Sequence, residues 1–396
     1  MTDIRSGGLI VNRPISVVSY YFGNFHPNDP RNRKTKPWGW SEWELVKAAK
    51  PRFAGHEQPK VPLWGYVDET DPRIMAQKIG AAADHAIDAF IFDWYYYEDG
   101  PFLQRPLTEG YLQAPNNRRL QFALMWANHD WVDMHPYHLG APPKLLYPGV
   151  VTAARFRMIC DHVIKEYFKH PSYWCVDGKP YFSIYDLTNL LASLGGVHST
   201  RTALDTFRAK AIAVGIPGLH LNAVVWGQPI IPGEQAAADP ARLVHDLGFD
   251  SVTSYVWIHE AALPDLQTDY VVVRDQYFAY WEKAERLFGV PYFPNVTVGW
   301  DGTARNYQDL GMPNIISGNT PARFREALQL TKQRLLTRTT GPRVLNINCW
   351  NEWTEGSYLE PDTVSGMQYL EAVKSVFGAD SPALQYSGSL TINDRK

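Results

Sequence analysis

Two glutamates stand three residues apart in "CWNEWTEGSYLEPD", residues 349–362, with tryptophans around them and a glycine directly after the second. Glycoside cleavage asks for such a pair. One carboxyl group gives a proton to the departing oxygen, and the other assists attack at or near the anomeric carbon. Two acids held close also push their pKa values apart, so that one stays protonated near neutral pH. Glu352 and Glu355 can cooperate only if the chain turns at once after a strand, because in a continuing strand a spacing of three puts them on opposite faces. Gly356 permits that turn. A solvated acidic loop with a helix-capping glutamate uses the same letters, and the bare pattern leaves both possibilities open.

Other polar residues gather in similar company. Asp301 in "GWDGTARN" and Asp93 in "FDWYYY" could each hold a sugar hydroxyl or anchor a loop. The segment "WANHDWVDMHP" carries His129, Asp130, Asp133 and His135, a density that raises the question of a metal. Barrel metal sites recruit ligands from several strands, and histidines this dense in one loop more often form hydrogen bonds, so the expectation is no metal and no cofactor. There is no P-loop, no GxGxxG after a strand and no GxSxG elbow, which takes support from nucleotide chemistry.

The chain that must position these residues has 396 of them, 45% hydrophobic and 20% charged, an ordinary balance for a soluble protein. Its net charge of −3 gives no case for nucleic acid or an anionic membrane. Aromatic residues are abundant, with 14 Trp, 22 Tyr and 17 Phe, and many adjoin Asn, Asp, His or Glu. That mixture suits an oligo- or polysaccharide partner, whose C–H faces rest on flat rings while neighbouring polar groups take its hydroxyls. Three cysteines, an odd number, make no disulfide framework. No membrane-spanning stretch is present, and the start "MTDIRSGGLIVNRP" lacks the apolar run of a signal peptide. As it stands this predicts a cytoplasmic chain; a periplasmic or secreted chain trimmed of its export signal would begin the same way.

Short apolar, β-rich runs alternate with helical patterns from end to end. Strands are expected at 15–21, 89–94, 121–126, 180–185, 219–226, 250–255, 292–300 and 344–350. Helix starts are marked by Asp71-Pro72 and Thr320-Pro321, a polar cap followed by proline at the first helical position. Near 363–377, Met367, Leu370, Val373 and Phe377 share one helix face. Eight such units predict a single (β/α)₈ barrel over residues 15–380, with an N-terminal extension (1–14) and a C-terminal tail (381–396). The long insertions follow strands 1 and 3, on the face where barrels of this class do chemistry. Alternation along strand 8 places Asn346, Asn348, Trp350 and Glu352 toward the barrel axis.

Six segments, in order, carry a specific resemblance: "FHPNDPRN", "WGWSEWELVKAAKPRFAGHEQPKVPLWGY", "MWANHDW", "DGKPYFSIYD", "GWDGTARN" and "NCWNEWTEGSYLEPD". Over about residues 20–377 the chain resembles WbsX-type proteins grouped with glycoside hydrolase family 99. That family's enzymes are (β/α)₈ barrels that cleave α-mannosidic linkages within glycans with retention of configuration. The resemblance implies that Glu352 is a base acting on the substrate's 2-hydroxyl, which attacks the anomeric carbon to give a 1,2-anhydro sugar. It implies that Glu355 protonates the leaving group and later activates water. Tyr21, Trp94 and Tyr255 match sugar-contacting positions, and Trp126, Asn128, Asp301 and Asn351 join them as expected substrate-binding residues. One departure is His129, where many WbsX-type sequences have glutamate after "WAN", so the sugar contacted by this loop is left open. The expected function is a retaining, endo-acting hydrolase of an α-linked, mannoside- or rhamnoside-like polysaccharide. A glycosyltransferase or transglycosylase of polysaccharide biosynthesis and a non-catalytic carbohydrate-binding barrel are the alternatives.

Overall fold

The computed structural model describes residues 14–378 apart from 139, 232, 309 and 310. The expected N-terminal extension, but for Pro14, and the expected C-terminal tail lie outside the described residues. Nine strand segments form the central sheet: β1 (Ser16–Tyr21), β2 (Ala89–Tyr97), β3 (Gln121–Trp126), β4 (Lys179–Ile184), β5 (His220–Val224), β6 (Ser251–Thr253), β7 (Tyr292–Phe293), β8 (Asn295–Thr297) and β9 (Val344–Asn348). They pair in parallel in the order β7-β6-β5-β4-β3-β2-β1-β9-β8. β7 and β8 are one run of chain broken at Pro294, which has no N–H to offer a ladder. The two ends of the order therefore meet, and the sheet is a nearly closed barrel whose seventh strand is in two pieces.

Helices α1 (Trp43–Ala48), α2 (Pro72–Asp84), α3 (Ala153–Glu166), α4 (Leu187–Leu194), α5 (Val197–Ala213), α6 (Pro240–Leu247), α7 (Tyr270–Leu287), α8 (Pro321–Thr337) and α9 (Gln368–Phe377) accompany it. The caps are those the sequence marks: Asp71 accepts from the Arg73 N–H and Thr320 from the Arg323 N–H. The long insertions after β1 and β3 are present, the first carrying α1. The second unit departs from the expected pattern. Between β2 and β3 the place of a helix is taken by the short helical segment Pro106–Tyr111. Gly110 sits so close to the Glu69 carbonyl that a Cβ there would lie 2.3 Å from its oxygen, so this segment packs where a side chain cannot. Among the described residues no helix is long and apolar enough to cross a membrane.

Strand alternation decides what reaches the barrel interior. On β2, Phe90, Phe92 and Trp94 face the helices, while Asp93 and Tyr95 face inward and line a pocket. On β1 the Tyr20 ring lies 4.6 Å from that of Tyr255, whereas Tyr21 turns outward to Glu69 and Lys78 of α2. On β3 Met125 reaches the pocket and Trp126 packs against Phe156 of α3. Asn346 and Asn348 of β9 point inward as expected, to Thr253 and Ser357. Trp350 does not. The regular strand stops at Asn348, so alternation is not carried across, and the Trp350 ring packs 4.8 Å from Phe90 on the helix side.

Candidate active site

After β9 the chain makes a tight hairpin. Asn351–Glu352 pairs antiparallel with Ser357–Tyr358, and the helical turn Trp353–Glu355 lies between them. Gly356 closes the turn at φ 62°, with Asp301 so near that a Cβ at Gly356 would meet the Asp301 Cβ at 2.7 Å. This turn, available only to glycine here, puts both glutamates on the same side of the chain. Glu352 and Glu355 meet one guanidinium: Arg305 Nη2 lies 3.0 Å from Glu352 Oε2 and Nη1 2.5 Å from Glu355 Oε1. A third carboxylate, Glu42 from the insertion after β1, stands 3.4 Å from Arg305 Nη2. Thr354 donates to Glu42 and accepts from Arg305 Nε, while Asn24 donates to the other Glu42 oxygen.

Three buried carboxyl groups share one cation, and the charges distribute unequally. Burial raises Glu352 well above the ordinary glutamate value of 4.5; the Glu355 charge adds to this, and Arg305 only partly opposes it. Burial also raises Glu355, but Arg305 pulls it back through charge and a short hydrogen bond. Burial works to raise Glu42 too, yet His135, Arg305 and the Thr354 and Asn24 hydrogen bonds leave it below the ordinary range. Burial pushes His129 and His135 down to about 4, so both are neutral near pH 7 and Arg305 is the cation of the cluster. In the free protein Glu352 and Glu355 are thus both pushed toward the protonated form, and Arg305 opposes this in each. Glu355 keeps Oε2 buried and without a hydrogen-bond partner.

Glu352, Glu355, Arg305, His129 and His135 line a pocket enclosing about 610 Å³ of non-protein space, part of it open to solvent, and Glu42 lies behind them. Its walls are aromatic, with Tyr95, Trp131, Tyr185, Tyr255 and Trp300 among them, and Asp93, Asp130 and His129 add polar edges. That combination suits a polyhydroxylated ring, with flat apolar surface on the sides and convergent polar groups at the reacting end.

Of the expected catalytic and substrate-binding residues, Glu352, Glu355 and Tyr255 line this pocket and six others do not, while Asp93, His129, Asp130 and His135, also singled out in the sequence, line it too. Tyr21, Trp94 and Trp126 lie in the shell between barrel and helices, turned there by strand parity; Trp94 stacks on His162 of α3 at 6.0 Å. Asn128 is spent on backbone, giving Nδ2 to the Asp186 carbonyl and accepting from the Asp186 N–H at the start of α4. Asn351 likewise clamps Phe22 at the end of β1 and donates to Glu69. Asp301 anchors a loop: His56 and Gln58 reach Oδ2, and the Thr303 N–H and hydroxyl reach Oδ1. The "GHEQPKVP" segment is thereby tied to the barrel mouth.

Arg305 and Glu42 escaped the sequence reading although both sit in segments that carried the resemblance. A signal existed for Arg305: a carboxylate pair facing an apolar pocket needs a cation, and "GWDGTARN" follows the strand beside β9.

Comparison with known proteins adds the following. The chain is 28% identical over 387 residues to the uncharacterized protein WxcX of Xanthomonas campestris pv. campestris strain B100, covering 93% of this chain and 50% of that one. WxcX of strain ATCC 33913 is 29% identical over 373 residues, 91% of this chain and 49% of the relative. The chain thus spans about half the length of the curated relatives it matches. Among solved structures, the GH99 endo-alpha-mannosidase from Bacteroides thetaiotaomicron superposes with a TM-score of 0.53 at 14% identity, over 92% of this chain and 96% of that one. A "glycoside hydrolase-like protein" gives 0.57 at 14% identity, over 93% and 95%. These two likenesses show the shared TIM-barrel fold. The family model described as glycosyltransferase WbsX matches residues 17–373, nearly the whole of the barrel, and by that match the chain belongs to the WbsX family.

Proposed function

We propose that this barrel is a retaining, endo-acting glycosidase that cleaves an α-linked, mannoside- or rhamnoside-like polysaccharide with Glu352, Glu355 and the substrate's own 2-hydroxyl. The observation that carries it is the meeting of two buried glutamates, delivered by one tight turn, on a single arginine in an aromatic pocket. The endo-alpha-mannosidase likeness supports the fold on which such chemistry is known. In the proposed reaction Glu352 takes the proton of the 2-hydroxyl, whose oxygen bonds to C1 as the C1–O bond to the leaving group breaks. The leaving oxygen takes the proton of Glu355. Glu355, now ionised, takes a proton from water as that water opens the anhydro ring at C1, and O2 regains its proton from Glu352. The bound state therefore needs the proton on Glu355, whose pKa burial raises while Arg305 opposes the rise. The short Arg305–Glu355 bond favours the ionised form, so sugar binding has to loosen it.

The family's description points to a second reading, a glycosyltransferase. A sugar-nucleotide donor brings a diphosphate, and among the described residues lining the pocket Arg305 is the lone lysine or arginine, already shared by three carboxyl groups. Transfer from glycan to an acceptor sugar would use the same two glutamates, with a sugar hydroxyl in place of water. Incubation with α-mannans, rhamnans and O-antigen polysaccharides is the test. Shorter oligosaccharides support hydrolysis and longer ones transglycosylation. Consumption of a nucleotide sugar with no change in any polysaccharide would overturn the proposal.

A further inference from the structure

The strand parity that turns Trp94 away from the pocket turns Asp93 into it. Asp93 is 4% exposed, and its Oδ2 accepts a hydrogen bond from the Tyr255 hydroxyl at 2.8 Å. Its Oδ1 is buried and has no partner. Asp301, at the same mouth of the barrel, has by contrast both oxygens filled by four hydrogen bonds. A buried carboxyl oxygen left open beside the two glutamates costs its desolvation free energy unless a ligand supplies the missing bond.

We propose that Asp93 is a substrate-binding residue whose Oδ1 forms a hydrogen bond with a hydroxyl, other than the reacting 2-hydroxyl, of the sugar held between Glu352, Glu355 and Tyr255. This rests on the glycosidase reading and deepens it. Burial raises the Asp93 pKa well above the aspartate range, and the Glu355 charge adds to that. The Tyr255 hydrogen bond works against that rise. Because Tyr255 donates to Oδ2, Oδ1 is the oxygen left for the sugar.

The test uses 4-methylumbelliferyl α-mannobioside and α-rhamnobioside, with forms lacking a single hydroxyl (3, 4 or, for mannose, 6) on the sugar that is cleaved. Asp93→Ala should lower kcat/KM ten- to a hundredfold on the cleaved parent compound. Asp93→Asn, which keeps an acceptor for Tyr255 and a donor for the sugar, should lose less. On one deoxy form the wild type should fall to the level of Asp93→Ala, because the partner hydroxyl is gone. A penalty of equal size on every deoxy form, or no penalty on the parent, overturns the role of Asp93 while leaving the glycosidase reading intact. If Asp93→Ala does not fold, the same deoxy series on Asp93→Asn decides. Wild type that neither cleaves these probes nor acts on any polysaccharide overturns both.

Discussion

Two buried carboxylate clusters lie on opposite sides of the turn after β9, and they differ in one respect. On the helix side, Glu69 Oε1 takes hydrogen bonds from Tyr21, Lys78 and Asn351, and Glu360 takes them from Lys78, Trp350 and Trp353. On the pocket side, Glu42, Glu352 and Glu355 surround Arg305. Each cluster has more carboxyl groups than cations. The helix-side cluster is sealed, with Lys78 and Glu69 at 0% exposure, and it recruits neutral donors from indole, phenol and amide groups. Both sides keep a carboxyl oxygen without a hydrogen-bond partner, Glu69 Oε2 on the helix side and Glu355 Oε2 and Asp93 Oδ1 on the pocket side, but the pocket-side acids border about 610 Å³ of non-protein space. Neither burial nor an unfilled oxygen by itself therefore marks a functional acid. An acid bordering open space does.

If this division is right, the largest effects on activity belong to the pocket side and leave folding intact. Glu355→Gln and Glu352→Gln should each lower glycan cleavage by a factor on the order of 10²–10⁴, the usual scale of general acid–base catalysis. The Glu355→Gln loss should shrink on an aryl glycoside whose phenolate departs without a proton, while the Glu352→Gln loss stays. The opposite pattern would exchange the two roles. The mirror experiment is Lys78→Met, which leaves Glu69 and Glu360 buried without their cation and should cost about 3–5 kcal/mol of stability, read by chemical denaturation. A Lys78→Met protein of normal stability would break the comparison.

Trp94→Ala and Trp126→Ala belong with the sealed side. Each removes a large buried ring from the shell under α3, so each should cost about 3–5 kcal/mol of stability with KM for glycan unchanged in the folded protein. A raised KM without destabilisation would return them to the pocket.

The sequence shows the elements of this molecule more readily than the direction of its side chains. The barrel, its strands and the insertions after strands 1 and 3 were legible because apolar runs and capped helix starts repeat through the chain. The Glu352–Glu355 turn was legible through Gly356. Side-chain direction was not, because a one-residue error in parity exchanges the two faces of a strand. Tyr20 and Tyr21, Asp93 and Trp94, and Met125 and Trp126 are three adjacent pairs in which the inward member is the first and the conspicuous aromatic is the second. On β2 a parity signal was present, since an aspartate inside a strand of aromatics seldom faces a helix, and Asp93 fixes the direction of its neighbours. Asn128, Asn351 and Asp301 were misread for another reason: their partners are backbone groups and loop residues that only the folded chain brings near. Glu42 comes from the distant insertion after β1, and no local pattern joins it to β9.

A pH series separates the clusters more finely. Glu352 and Glu355 both have folded-state pKa values raised, first by burial, above the ordinary 4.5. The folded state therefore binds more protons than the unfolded chain above that pH. The stability tied to this is fully present below about 4.5 and is lost as pH rises through the folded values. Glu352→Gln cannot ionise, so its melting temperature should match the wild type near pH 4.5 and exceed it increasingly toward pH 8. A difference that shrinks with rising pH would show that Glu352 is ionised and well paired in the free protein.

The smallest expected effect falls on Tyr21, which the resemblance placed against the sugar and the structure places against α2. Tyr21→Phe removes a hydroxyl that donates to Glu69 Oε1 at 2.9 Å and lies 3.2 Å from Lys78 Nζ. Lys78 and Asn351 still bond that oxygen at 2.6 and 2.7 Å, so Glu69 stays paired and the loss should be that of one hydrogen bond to a charged group, about 1.5–3 kcal/mol at most. The ring itself keeps its contacts with Phe90 and Phe92, so no cavity opens. Because Asn351 still clamps the end of β1 to the start of the hairpin, Glu352 and Glu355 should not move, and kcat and KM on glycan should equal those of the wild type. A change in KM with stability unaltered would mean that the sugar reaches through the strand layer to Tyr21, and the line between the sealed and the open cluster would have to be redrawn. A fall in kcat alone would say instead that the helix-side cluster sets the geometry of the catalytic turn through Asn351, joining the two clusters into one device.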